Sequence, residues 1–159
     1  MIDILVDEGI ALPMTEEQVI QAVQASCVTL KQEEKLSLCV RFSSDEEVQS
    51  LNAQWRNMDK VTDVLSFPMQ DEEELDIEES LGDIILAVPF VQQEAERLKL
   101  SLQNHITHLI VHGTLHLLGY DHINDAEAVE MQQLENQVMN QLGLHIPYPD
   151  LNEGVSPDE

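Results

Sequence analysis

The sequence predicts a domain that layers helices on one small sheet, of the α/β or α+β class. Four short runs show the composition or alternation of strands, and five segments read as helices, four opened by capping residues and one by a first-turn proline. The two kinds of element are mixed without strict alternation, which indicates one layered structure of either class. A chain of 159 residues is expected to form one domain over 1–150 and to bury roughly two-thirds of its unfolded surface. Residues 151–159 form an acidic tail with little to bury, and disorder is expected there.

The elements follow in order. Ile2 to Val6 reads as a short strand. Thr15-Glu-Glu-Gln18 is a capping box, and Val19, Ile20, Val23 and Cys27 continue it at helical spacing. Leu36, Leu38, Val40 and Phe42 alternate with Ser37, Cys39 and Arg41, the pattern of a half-buried strand. Ser44-Asp-Glu-Glu47 is a second capping box, opening a helix with Val48, Leu51 and Trp55. Val64 to Phe67 reads as a third strand, ended by Pro68. Residues 71–79 hold seven acids in nine positions and are expected to be a solvated loop. Ile84 to Ala87 is apolar enough to sit centrally in a sheet. Pro89 suits the first turn of a helix through Leu98. Ser101 caps the next helix, whose Leu102, Ile106, Leu109, Ile110 and Leu117 face the core. Asn124-Asp-Ala-Glu127 caps the last helix, which ends at Gly143.

Composition restricts the function classes. Seven basic against thirty-one acidic residues leave a net charge of −24. A broad nucleic-acid footprint is built on Lys and Arg, so any RNA contact should be local, metal-assisted or mediated by a partner. Cys27 and Cys39 make no disulfide framework and no Cys-x-x-Cys clip, and they read as reduced, buried thiols. The N-terminus has acids where a signal peptide needs basic residues, and no apolar run reaches the roughly 18 residues of a membrane span. A cytoplasmic protein is expected.

The run His-Gly-Thr-Leu-His-Leu-Leu-Gly-Tyr-Asp-His (112–122) carries the chemistry. In a helix over 101–118, His112 and His116 lie one turn apart on one face, and Gly119 can end the helix so that a turn returns His122 to them. Three imidazoles with a fourth position open form the donor set of a catalytic zinc site. His105 and His108 share the stripe, which spans about 80°. His108 and His116 are about 12 Å apart along the axis, so one ion with bonds of about 2 Å cannot hold both. His116 is chosen because the turn delivers His122 beside it. His108 then either supports a ligand from behind or lines the cleft, His105 belongs to the surface, and His145 is given no role. The metalloprotease pattern His-Glu-x-x-His needs a general base where this chain has Gly113. Asp121 is read either as an orienting partner for an imidazole or as a turn residue.

Residues 52–68 form a second informative segment. Arg56 is one of only three arginines, and it reads either as a helix-end cation or as a planar fork aimed at phosphate. Thr62, Asp63 and Ser66 receive no catalytic role from spacing alone. Asp83 would need a partner if buried.

The histidine run closely resembles the signature of the bacterial YbeY family of rRNA maturation endoribonucleases. Arg56 with Thr-Asp-Val-Leu-Ser-Phe-Pro (62–68) resembles a second block of that family, and Leu81-Gly-Asp-Ile84 a third. The resemblance spans roughly residues 2–148. It implies an α+β fold with a small mixed four-stranded sheet, about five flanking helices and a zincin-like metal helix and turn. It implies a zinc-dependent, single-strand-specific endoribonuclease acting in 16S rRNA 3′-end maturation and ribosome quality control. It places one zinc ion on His112, His116 and His122 and a catalytic role on Arg56. With six aromatic residues and strong negative charge, naked RNA should bind weakly, and recruitment through the small ribosomal subunit or its proteins is expected. The rival readings are a metalloprotease-like hydrolase and a non-catalytic ribosome-assembly factor with a structural metal.

Overall fold

The structure, a computed structural model, describes residues 2–29, 37–70 and 79–149. Most of the acidic run (71–78) and the tail expected at 151–159 lie outside the described residues.

Ile2–Val6 (β1) pairs in parallel with Ser37–Ser43 (β2), Ile2 opposite Leu38 and Val6 opposite Phe42. Parallel neighbours need a crossover, and Glu16–Thr29 (α1) lies in that connection. Its capping box closes in both directions: Gln18 N–H donates to Thr15 Oγ1 at 3.1 Å and Thr15 N–H to Gln18 Oε1 at 2.9 Å. Asp45–Arg56 (α2) begins at Ser44, whose Oγ accepts from Glu47 N–H at 3.1 Å. Val64–Pro68 (β3) runs antiparallel to Ser80–Ala87 (β4), and β4 is parallel to β2. The sheet is therefore mixed, in the order β1-β2-β4-β3, with the apolar β4 inside as expected. Pro68, which has no N–H to donate, falls at the end of the edge strand β3. Strand β4 starts four residues before Ile84, because the polar-looking Ser80 to Asp83 still pair with β2 and β3.

Val88–Leu98 (α3), Leu102–Leu117 (α4) and Asp125–Gln141 (α5) follow. Ile84 and Leu86 of β4 join α1, α4 and α5 in the larger core, with Phe42, Ile106, Ile110, Leu115, Met131 and Met139 fully buried. Ile85 and Ala87 point the other way, onto Val48 of α2 and Leu65 of β3. Trp55, expected on the apolar face of α2, is 65% exposed. Cys27 is buried but Cys39 only half-buried, and neither is in a disulfide. No described helix is long and apolar enough to cross a membrane.

Two glycines set the spacing of these layers. A Cβ on Gly113 would stand 3.0 Å from Ile84 Cγ2, so α4 lies as near to β4 as a bare backbone allows. Gly82 has φ +142°, and a Cβ there would fall 2.2 Å from the Phe67 carbonyl oxygen, a position only glycine can fill.

Candidate metal centre

Ser101 opens α4 by accepting from Asn104 N–H at 3.1 Å, and sixteen residues later the helix is stopped. Gly119 takes φ 104°, its N–H donates to His116 O at 3.0 Å, and Tyr120 N–H donates to Leu115 O at 3.0 Å. This is the Schellman arrangement, and it reverses the chain within two residues. The Asp121 carboxylate accepts from the His122 N–H at 2.7 Å and holds the turn. The result is the convergence expected from sequence. His112 and His116 bring their Nε2 atoms within 3.1 Å, and the His122 ring lies 5.1 Å from that of His116 and 5.9 Å from that of His112. One nitrogen from each lies within 4.8 Å of the others. Nitrogens held at 2.0–2.1 Å on a tetrahedral ion stand about 3.3 Å apart, so this donor set fits zinc and leaves one position open.

Each imidazole must offer a lone pair to that point, and the surroundings select the tautomer. His112 Nδ1–H donates to Glu135 Oε2 at 3.1 Å, which turns Nε2 inward as an acceptor. His116 faces the Tyr120 backbone carbonyl with its other nitrogen. Burial, with His112 and His122 adjacent, lowers the His116 pKa to about 4, so the ring is neutral at pH 7. Asp121 lies 3.9 Å from His116 Nδ1, beyond hydrogen-bond length. Of the two readings of Asp121, the turn residue is the one its contacts express.

Glu135 was not singled out in the sequence. It comes from α5, is 1% exposed, and accepts from His108 Nε2–H at 2.5 Å and the Tyr148 hydroxyl at 3.2 Å as well as from His112. Burial alone would raise its pKa, but the bonds from His108 and His112 hold it at about 2. The available signal was an acid inside the stripe that buries Met131, Val138 and Met139. His108 thus lies beside the cluster as expected, acting on it through Glu135. His105 corrects the reading: it is 4% exposed, not a surface residue, because Glu94 of α3 accepts from its Nε2–H at 2.6 Å.

Arg56 ends α2 across a cavity of about 400 Å³ that His112, His116 and His122 also line. Its guanidinium donates to Ser66 O at 2.5 Å and lies over the Phe67 ring, 5.5 Å from the centroid. The chain reverses after it through Asn57 at φ 56°. One cation, aimed by β3, therefore faces the three imidazoles. Thr62, Asp63 and Ser66 line the same cavity, Asp63 capping β3 by accepting from Val64 N–H at 2.7 Å. Asp83 does not join them, since it lies on the sheet face away from α4, opposite Cys39 in register. Gly113, packed on Ile84, offers no proton-transfer group where a metalloprotease needs one.

Residues 6–143 match the family described as Endoribonuclease YbeY. A curated protein of that name from Zymomonas mobilis is 46% identical over 151 residues, covering 91% of this chain and 86% of its own. Another, from Idiomarina loihiensis, is 42% identical over 148 residues, covering 92% and 90%. A solution structure of a Thermotoga maritima protein matches with TM-score 0.60 and 23% identity over 100% of this chain and 97% of that one, a likeness of fold.

Proposed function

Because the chain belongs to the YbeY endoribonuclease family, we propose that its nuclease activity is zinc-dependent cleavage of single-stranded RNA in 16S rRNA 3′-end maturation and ribosome quality control. The observation that carries this reading is the single cavity shared by Arg56 and the three converging histidines. His112, His116 and His122 would hold one zinc ion. Bound there, zinc supplies a Lewis acid for a phosphate oxygen and acidifies water.

The chain's own residues do the rest. Arg56 keeps its charge and further N–H donors after the bond to Ser66, and presents them to phosphate oxygens as negative charge develops at phosphorus. Its stack on Phe67 and its tie to β3 fix that direction before substrate arrives. Glu135 orients His112 and has each oxygen already engaged, so it is not a free base. A peptide-hydrolysing reading lacks its proton carrier at Gly113. With one arginine at the cleft and a charge of −24, recruitment of the substrate falls to the small ribosomal subunit or its proteins in the cytoplasm.

The test pairs metal analysis with cleavage of single-stranded and duplex RNA by wild type, Arg56→Ala and His116→Ala purified in parallel. Wild type should contain about one zinc per chain and cut single strands. His116→Ala should lose both metal and activity, and Arg56→Ala should keep the metal and lose roughly 10²–10³-fold in rate. Cleavage that persists in the double variant Arg56→Ala/His112→Ala would sink the reading. End-group analysis then separates attack by water from attack by the 2′-hydroxyl, which leaves a 2′,3′-cyclic phosphate.

A further inference from the structure

Beside the histidine cluster lies a second cavity, of about 520 Å³, that neither zinc nor Arg56 accounts for. The two cavities share Asp63, Val64 and His112, so they form one cleft folded around His112. Their chemistry differs. The first sets Arg56 against its two carboxyls, Asp63 and Asp121. The second is lined by no lysine or arginine and contains two carboxyls, Asp63 and Glu94. Glu94 accepts from His105 at 2.6 Å, and burial, with Asp63 adjacent, raises its pKa. Such a wall repels phosphate and welcomes N–H donors.

The rest of the lining is aliphatic or carries rings. Leu98, Leu100, Pro147 and Tyr148 belong to it, and the rings of His145 and Tyr148 stand edge-on to His108 at 6.4 and 5.7 Å. His105 and His145, which line this cavity, each carry a buried Nδ1 with no hydrogen-bond partner among the described residues. The volume lies within the range of small-molecule pockets and admits one flat heterocycle with its sugar.

We propose that this cavity is a nucleobase subsite: it takes the base of a nucleotide flanking the scissile phosphate while the charged backbone passes on the Arg56 side. The inference rests on the nuclease reading for its orientation along the strand. It assigns to the segment after α5 a role in gripping RNA by stacking and hydrogen bonding rather than by charge, which suits a chain with so few cations.

Two measurements test it on the full, zinc-loaded chain. In the first, single-stranded oligonucleotides carry one abasic ribonucleotide, moved stepwise past the cleavage point. Wild type should lose about tenfold in kcat/KM at one flanking position. Leu98→Trp, which fills the cavity from a residue 46% exposed, should show that loss on intact RNA and no further loss on the abasic strand. Abasic strands cut at the intact rate at every position would overturn the proposal, with or without a folded Leu98→Trp. The second is NMR titration with nucleoside 5′-monophosphates against ribose 5-phosphate. Shifts at Tyr148 and His145 with the nucleotides alone support the subsite. Equal shifts with ribose 5-phosphate would overturn it. The titration needs no turnover, so a chain that binds bases but cuts nothing would refute the nuclease reading and leave the subsite standing.

Discussion

Three donors meet at the Glu135 carboxylate, two imidazoles and a phenol, and one of those imidazoles is His112. Glu135→Gln keeps the shape but puts an amide N–H where an acceptor is required. Zinc affinity, read by competition with a chelator, is expected to fall about 10–100-fold, as for other groups that orient a metal-binding histidine. Unchanged affinity would mean that α4 alone orients the cluster. At this scale the sequence revealed groups whose spacing is local and hid those whose partners are distant. His112, His116 and His122 lie within eleven residues, and helix geometry with one glycine places them. Glu135 is 23 residues from His112, and the pairing of His105 with Glu94 needs α3 folded against α4. A lone acid in an apolar stripe and a fourth histidine on a helix face have no local signature of their partners.

Helix starts were the most readable elements, since one side chain satisfies orphan N–H groups within a turn of itself. Ser44, Ser101 and Asn124 all cap as expected. Strand β4 was cut short because Ser80 to Asp83 belong to the sheet through backbone pairing, which side-chain pattern does not report. The Asp7 turn after β1 is similarly tertiary. Arg41 of β2 donates to both Asp7 oxygens, at 2.9 and 2.8 Å, and to Glu47, while Ser43 Oγ donates to Asp7 at 2.6 Å. The bond from Arg41, against the opposing effect of burial, holds the Asp7 pKa below its ordinary 3.8. A depressed folded-state pKa contributes stability above the unfolded value and loses it as pH falls through the folded one. The urea midpoint of wild type should therefore exceed that of Asp7→Asn at pH 6, and the gap should narrow below about pH 4. A gap independent of pH would assign the effect to packing.

At the scale of the molecule, charge decides how substrate arrives. A net charge of −24 repels an RNA strand, while Arg56 provides local attraction at the cleft. Raising ionic strength shortens the screening length, from about 30 Å at 0.01 M to about 10 Å at 0.1 M, and weakens the long-range repulsion more than the contact. On short naked RNA, kcat/KM is expected to rise or stay level between 0.02 and 0.2 M salt. A steep fall, of the kind many phosphate contacts produce, would reveal a basic surface that the sequence does not contain.

Gly82 has a genetic consequence. Its missing side chain admits the Phe67 carbonyl, and the same stretch of β3 supplies the oxygen and the ring that hold Arg56. In a random library selected for RNA cleavage, position 82 should be as intolerant as the three histidines, although it takes part in no chemistry. Suppressors of Gly82→Ala should map to residues 66–68, where the strand can be re-laid, and not to the three histidines. Suppressors found at the histidines would show that the lesion reaches the site through α4 instead.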